Sequence, residues 1–229
     1  MHTILLTSLT TLLLITPATP QCDRTFLNDL SALYLSAQTQ GLPSLIPTLT
    51  PTSLTYTEQF LPVPLNTSIL STPLPITTSR RFIDASLCTS FTQSIILNTS
   101  HPYVIGTRMT GDAEGLFITN IDTLVTDIRD WGFDARGYEE AEGREEWGVI
   151  EEGRRDGREV LRDAADRYVI DEEVGVVNVF VGILGLDRNS SEPTPDSHTF
   201  RIEGGKIRYI HTLNGGRRLG CLVPKEGFL

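Results

Sequence analysis

Cysteine is scarce in this chain, three in 229 residues, and none of the three stands in a C-x-x-C pair or at a Cys/His spacing that would hold zinc. A G-x-S-x-G elbow is also missing, which argues against an ordinary serine hydrolase. Gly143, Gly148, Gly153 and Gly157 follow no strand and form no phosphate loop, so nucleotide binding has no anchor. There is no basic stripe: 19 Lys and Arg face 29 Asp and Glu, a net charge of −10 that repels a phosphate backbone and excludes nucleic acid as a natural partner. The apolar run Ile4 to Ile15 is shorter than the ~20 residues a bilayer needs.

That run, broken only by Thr and Ser and followed by Pro17 and the small Ala18, reads as a signal peptide over residues 1–20, cut after Ala18 or close to Pro20. The mature protein is then expected to be secreted and extracellular, with no membrane association after cleavage. Three acceptor sequons for N-linked sugar begin at Asn66, Asn98 and Asn189, and their number fits that route. Cys22 opens the mature chain and Cys88 lies just before a predicted strand; a disulfide between them would close a long loop and stabilise the fold by roughly 4 kcal/mol on the chain-entropy model. Cys221 is left over in a Gly/Arg-rich tail, either free or paired between chains.

The chain also states one pattern twice. Arg24, Leu27 and Tyr34 recur as Arg158, Leu161 and Tyr168 at an offset of 134; Ile83-Asp84 and Ile96-Leu97 recur as Ile170-Asp171 and Ile183-Leu184 at 87; Ile118, Ile121, Thr123 and Leu124 recur as Ile207, Ile210, Thr212 and Leu213 at 89. The drop in offset means that the second copy lacks roughly 46 residues that the first has between Tyr34 and Arg80. The expected fold is α+β: a helix packed on a curved antiparallel sheet, duplicated, with an incomplete second unit. The boundaries are a first unit at 21–135, a charged linker at 136–157, a second unit at 158–213 and a flexible tail at 214–229.

Phe26, Leu27, Leu30, Leu33, Tyr34 and Ala37 recur at three and four, predicting a helix from Asp23 to Gly41. Closely spaced prolines forbid a long helix over 42–79, where only Leu54 to Phe60 alternates as a strand. Thr89 to Leu97, Pro102 to Thr110 and Leu116 to Ile128 predict an antiparallel meander. The rings of Trp131 and Phe133 are expected against a sheet edge. The matching Asp84 and Asp171 suggest a shared structural job such as a turn or cap, and Arg108 and Arg201 suggest pairing with sheet-face carboxylates.

The sharpest local signal is Pro195 to Leu213. With Gly204-Gly205 at a two-residue turn, Ile202 faces Ile207, Phe200 faces Tyr209 and His198 faces His211, all on one face, with Asp196 one pair further along. His198, His211 and Asp196 are therefore candidate proton-transfer groups, because burial and neighbours bring an imidazole pKa near working pH. The plainer reading is a pair of satisfied core histidines. Two nitrogens and one carboxylate are too few for a metal centre, and no cofactor is implied. Tyr56 and Glu58, on one face of their strand, together with Phe200 and Tyr209, are candidates for lining a ligand cavity.

Pro195-Asp196-Ser197-His198-x-Phe200-Arg201 and Gly205-Lys206-Ile207-Arg208-Tyr209-Ile210-His211-Thr212, with Cys22-Asp23-Arg24, Tyr56-x-Glu58, Pro102 to Arg108 and Tyr168-Val169-Ile170-Asp171, resemble a family of secreted fungal proteins carrying a domain of unknown function. Such proteins look similar to SnoaL and ketosteroid-isomerase cones, in which a curved sheet and helices enclose a pocket. The sequence departs from the family where Ala164-Ala165-Asp166 runs directly into Arg167-Tyr168, without the Trp/Pro/Cys/Gly-rich segment that members carry there. The function expected is binding, with isomerisation as its possible chemistry, of a small apolar molecule in a cone-shaped pocket. The alternative is a non-catalytic extracellular glycoprotein with a recognition surface.

Overall fold

The structure is a computed structural model that describes residues 22–46, 48, 54–97, 100–112, 114–130, 132–158, 168–184 and 193–215. The stretch 1–20 expected to be a signal peptide, Trp131, Leu161, Asn98, Asn189 and Cys221 lie outside the described residues.

Helix α1 (Arg24–Gln40) begins where the Asp23 carboxylate accepts the Phe26 amide at 2.7 Å, and it ends at Gly41, whose φ of 65° suits the residue without a Cβ. A Cβ at Gly41 would also meet the Pro73 ring at 2.7 Å. Leu27, Leu30, Tyr34 and Ala37 form its buried stripe, as the spacing predicts. The short strands β1 (Thr55–Glu58) and β2 (Leu61–Pro62) follow, then β3 (Thr78–Asp84), β4 (Thr89–Ile96), β5 (Tyr103–Gly111) and β6 (Ile118–Asp127). These six make one sheet in the order β2-β1-β6-β5-β4-β3, antiparallel except for the parallel pairing of β1 with β6. Helix α2 (Ala135–Glu142) precedes a second, four-stranded antiparallel sheet, β10-β9-β8-β7, built from β7 (Tyr168–Asp171), β8 (Val176–Ile183), β9 (Thr194–Glu203) and β10 (Lys206–Asn214).

Alternation along each strand divides the side chains between two cores. One face of the first sheet holds Met109 and Ile121 against α1, Ile46, Tyr56 and Leu70. Its other face, with Phe82, Phe91, Val104 and Leu124, packs against Val169, Val176, Phe180 and Leu213 of the second sheet. Trp147 and Ile150, anchors of the charged stretch, are buried, and the glycines that argue against a helix there begin only at Gly143, the C-cap of α2.

Strand registers carry the internal repeat. Ile83 pairs with Ser90 in the first sheet and Ile170 with Val177 in the second, so β3-β4 maps onto β7-β8 at the offset of 87 that the sequence gives. Thr107 pairs with Thr123 as His198 pairs with Thr212, which maps β5-β6 onto β9-β10, with the offset of 89 for the last strand. The proposed equivalence of Tyr34 and Tyr168 does not hold in three dimensions, because Tyr34 is mid-helix while Tyr168 opens β7.

The two copies are joined by exchanged ion pairs. Arg24 of the first copy donates to both carboxylate oxygens of Asp171 at 3.0 and 2.9 Å, and Asp171 also accepts the Ile83 amide at 2.8 Å. Arg158 donates to both oxygens of Asp84 at 2.9 and 2.7 Å, and Asp84 accepts the Ile170 amide at 3.1 Å. Each partner sits at a repeat-related position, so one contact set is written twice with the copies interchanged, as in an isologous dimer interface. Asp84 caps a turn as expected, accepting the Leu87 amide at 3.2 Å, but the shared job of the two aspartates is this cross-unit pairing.

The expected disulfide is present: Cys22 and Cys88 are bonded, closing a separation of 66 residues. Gly111 lies against it, since a Cβ there would meet the Cys88 sulfur at 2.6 Å.

Candidate functional site

The hairpin β9-β10 turns at Gly204-Gly205, whose φ values of 61° and 67° require glycine-like freedom, and Ile202 faces Ile207 as expected. A β-bulge between Ile207 and Tyr209 then shifts the register by one. Tyr209 faces Arg201, His211 faces Thr199, and His198 faces Thr212. An extra residue on one strand inverts its alternation, so the pairing of His198 with His211 and of Phe200 with Tyr209 is overturned and the two histidines lie on opposite faces.

His211 and Tyr209 point inward, between the sheets. His211 Nε2 lies 2.6 Å from Glu145 Oε2, and its ring packs edge-on to Trp147 and Tyr138 at 5.0 and 4.8 Å. The Trp147 indole donates to the same Glu145 oxygen at 3.0 Å. Beside them Glu142 accepts from Arg80 at 3.2 Å and from Gln93 at 2.5 Å. His211 is thus a satisfied core residue. Arg108 pairs with Asp122 at 3.2 Å, whereas Arg201 donates to the carbonyls of Gly148 and Val174 rather than to a carboxylate.

His198, Phe200 and Asp196 share the outer face of the second sheet with Ile170, Val177 and Val179. This face is the repeat counterpart of the one that α1 covers in the first unit: His198 and Thr212 stand where Thr107 and Thr123 stand under Tyr34. His198 Nδ1 lies 3.0 Å from the Thr212 hydroxyl and its Nε2 3.8 Å from Asp196 Oδ1. Asp196 is buried; Oδ2 accepts from Asn214 at 3.2 Å and Oδ1 has no hydrogen-bond partner. Burial pushes its carboxyl pKa up, and the Asn214 bond, the His198 charge and the Ser197 backbone amide offset this only in part. A partly exposed imidazole thus stands beside a buried carboxyl of which one oxygen has no hydrogen bond, an arrangement that can hold a ligand's polar group.

Tyr56 and Glu58 do lie on one face, but both are sealed inside the first unit. The Tyr56 hydroxyl donates to Glu58 Oε1 at 2.8 Å, and the same oxygen accepts the Ile69 amide at 2.5 Å. The Tyr34 and Thr107 hydroxyls are hydrogen-bonded to each other at 2.7 Å, and burial pushes the Tyr34 pKa up to about 12. Burial also raises the Glu58 pKa, against the lowering effect of those two hydrogen bonds. An acid whose folded pKa exceeds its unfolded value takes up a proton on folding, so its stabilisation is full below the unfolded pKa and lost as pH rises through the folded one. Glu58→Gln, a neutral isostere, is expected to keep the fold and to flatten the decline in unfolding free energy as pH rises above 4.5, measured by urea unfolding across pH. An unchanged pH profile would contradict this.

Two surface hollows lie elsewhere. One of about 80 Å³ is lined by Val104, Thr126, Phe133, Tyr138, Leu213 and Asn214; an open cleft of about 520 Å³ runs between 146–154 and β9. Among the described residues no cluster of His, Cys, Asp and Glu could hold a metal ion, and no helix is long and apolar enough to cross a membrane.

Fold and site together define a two-sheet α+β protein in which one helix-side face is sealed and its copy carries an acid and an imidazole. A family model described as a domain of unknown function, DUF8021, matches residues 142–214, from the end of α2 through β10. No curated protein and no solved structure matches the chain.

Proposed function

We propose that this chain is a secreted protein that binds a small apolar molecule on the helix-side face of its second sheet, with Asp196 and His198 holding the ligand's polar group and Phe200 its apolar body. The carrying observation is the buried Asp196 oxygen without a hydrogen bond, 3.8 Å from His198 on a face that its copy in the first unit keeps closed. A buried polar atom left unpaired costs about 1–3 kcal/mol, which a ligand hydroxyl or carbonyl would recover. We read each unit as a SnoaL-like or ketosteroid-isomerase-like cone, a reading supported by one strand register repeated in two sheets. In such a pocket Asp196 hydrogen-bonds the ligand oxygen while His198 takes a proton from one adjacent carbon and returns it to another, so that the double bond moves and no proton is gained or lost, the transfer an isomerisation needs.

Secretion is supported by the disulfide, which persists in oxidising compartments. The exposed position of Asn66 favours a sugar there, and with it the alternative of a recognition glycoprotein. The test is a thermal-shift screen of apolar alcohols, ketones and acids. Ligands that stabilise the wild type are expected to lose the effect in Asp196→Asn and His198→Ala, with unliganded melting temperatures little changed. A screen without hits, or hits that survive both substitutions, would remove the pocket reading and favour the glycoprotein.

A further inference from the structure

We propose that the free edge of β10 takes up an extended acidic and apolar peptide segment of another protein as an added parallel strand, in the place that β1 fills in the first unit. The duplication makes the comparison direct. In the first sheet β6 is flanked by β1, with Tyr56 opposite Ile121 and Thr57 opposite Asp122. The segment missing from the second copy includes the counterpart of β1, so β10 ends its sheet and pairs with no further strand among the described residues. Ile121 is 0% exposed, covered by α1 as well as by Tyr56 of β1, while its repeat counterpart Ile210 is 54% exposed and Ile207 is 55%.

The backbone of this edge is available. Gly215 donates to Pro195 of β9, so alternation turns the amides of Ile210, Thr212 and Asn214 away from β9. In the first unit the equivalent carbonyl, that of Thr123, accepts the Gln59 amide at 3.0 Å. An edge of unpaired amides flanked by apolar side chains is the template that strand addition uses.

Charge selects the occupant. The nine residues of β10 include Lys206 and Arg208 and no carboxylate, in a chain of net charge −10. Of the nearby carboxylates, Glu203 is engaged with Arg154, Asp156 with the Gly205 amide, Glu145 with His211, and Asp196 with Asn214 through one oxygen. Exposed cations on an edge strand disfavour pairing between two copies. They favour a strand whose N-terminal part, alongside Lys206 and Arg208 in the parallel direction, carries carboxylates and whose centre is apolar opposite Ile210.

The probe is a fluorescent peptide in which Asp-Glu precedes Leu-Thr-Tyr-Thr-Glu-Gln-Phe, the sequence of residues 54–60 that contains β1, compared with a version bearing lysine at its three acidic positions, both titrated against the full protein. The acidic peptide is expected to bind saturably and the basic one about tenfold more weakly or worse. Ile210→Pro removes an outward amide without touching a β9 bond and should abolish binding while the circular dichroism stays unchanged. Lys206→Glu/Arg208→Glu, at exposed positions, should reverse the preference between the peptides. No binding of the acidic peptide, equal binding of both, or an unreversed preference in the double variant would overturn the proposal. So would a wild-type dimer in sedimentation that Ile210→Pro dissociates, which would assign the edge to a second copy.

Discussion

Asp171→Ala is expected to lower the melting temperature by roughly 6–12 °C in a circular-dichroism melt. Asp171 is 0% exposed at its side chain and holds three donors, two from Arg24 and one from the Ile83 amide. Removing one partner of a buried pair costs about 3–5 kcal/mol. Arg24 remains 34% exposed, so water recovers part of its hydration and the lower end, about 3 kcal/mol, applies. Each kcal/mol shifts the melting temperature of a chain this size by about 2–4 °C. Asp84→Ala should behave alike, because Arg158 and Ile170 repeat the arrangement. Replacing a whole pair, as in Arg24→Met/Asp171→Leu, should do less harm than the single change, since no charge is then stranded. A loss below 2 °C for both single variants would show that the exchanged pairs do not join the units.

Cys22→Ser/Cys88→Ser should cost about 4 kcal/mol, or roughly 8–16 °C, because the bond ties the start of α1 to the turn before β4 across 66 residues. The contacts of Leu27 and Ile83 around the sulfurs remain, so the double variant is expected to fold and to melt early. A melting temperature equal to the wild type would mean that the unfolded chain gains nothing from release.

Local periodicity made much of this fold readable. The stripe of α1, the meander β4-β5-β6 and the glycine turn of the last hairpin follow from spacing alone. The strand registers follow the repeat offsets, and among the described residues no strand of the second sheet stands in the place of β1. What periodicity left out is long-range. His211 finds Glu145 across 66 residues, and no pattern in either segment announces that contact. The bulge at Arg208 is equally silent: Lys206-Ile207-Arg208-Tyr209 alternates as a plain strand would, yet one extra residue sends His211 and Tyr209 to the other face. Tyr56 and Glu58 share a face, as their spacing predicts, but only the cover from α1 and Leu70 decides that the face is buried.

In the proposed reading the second unit, and not the first, holds the ligand. The direct measurement is the histidine-ring NMR spectrum during titration with a ligand taken from the thermal-shift screen, with signals assigned by single substitution. The His198 ring is predicted to shift while His211, locked between Glu145 and Trp147, stays in place. A ligand that moves His211 and leaves His198 unchanged would place binding between the sheets and contradict the account.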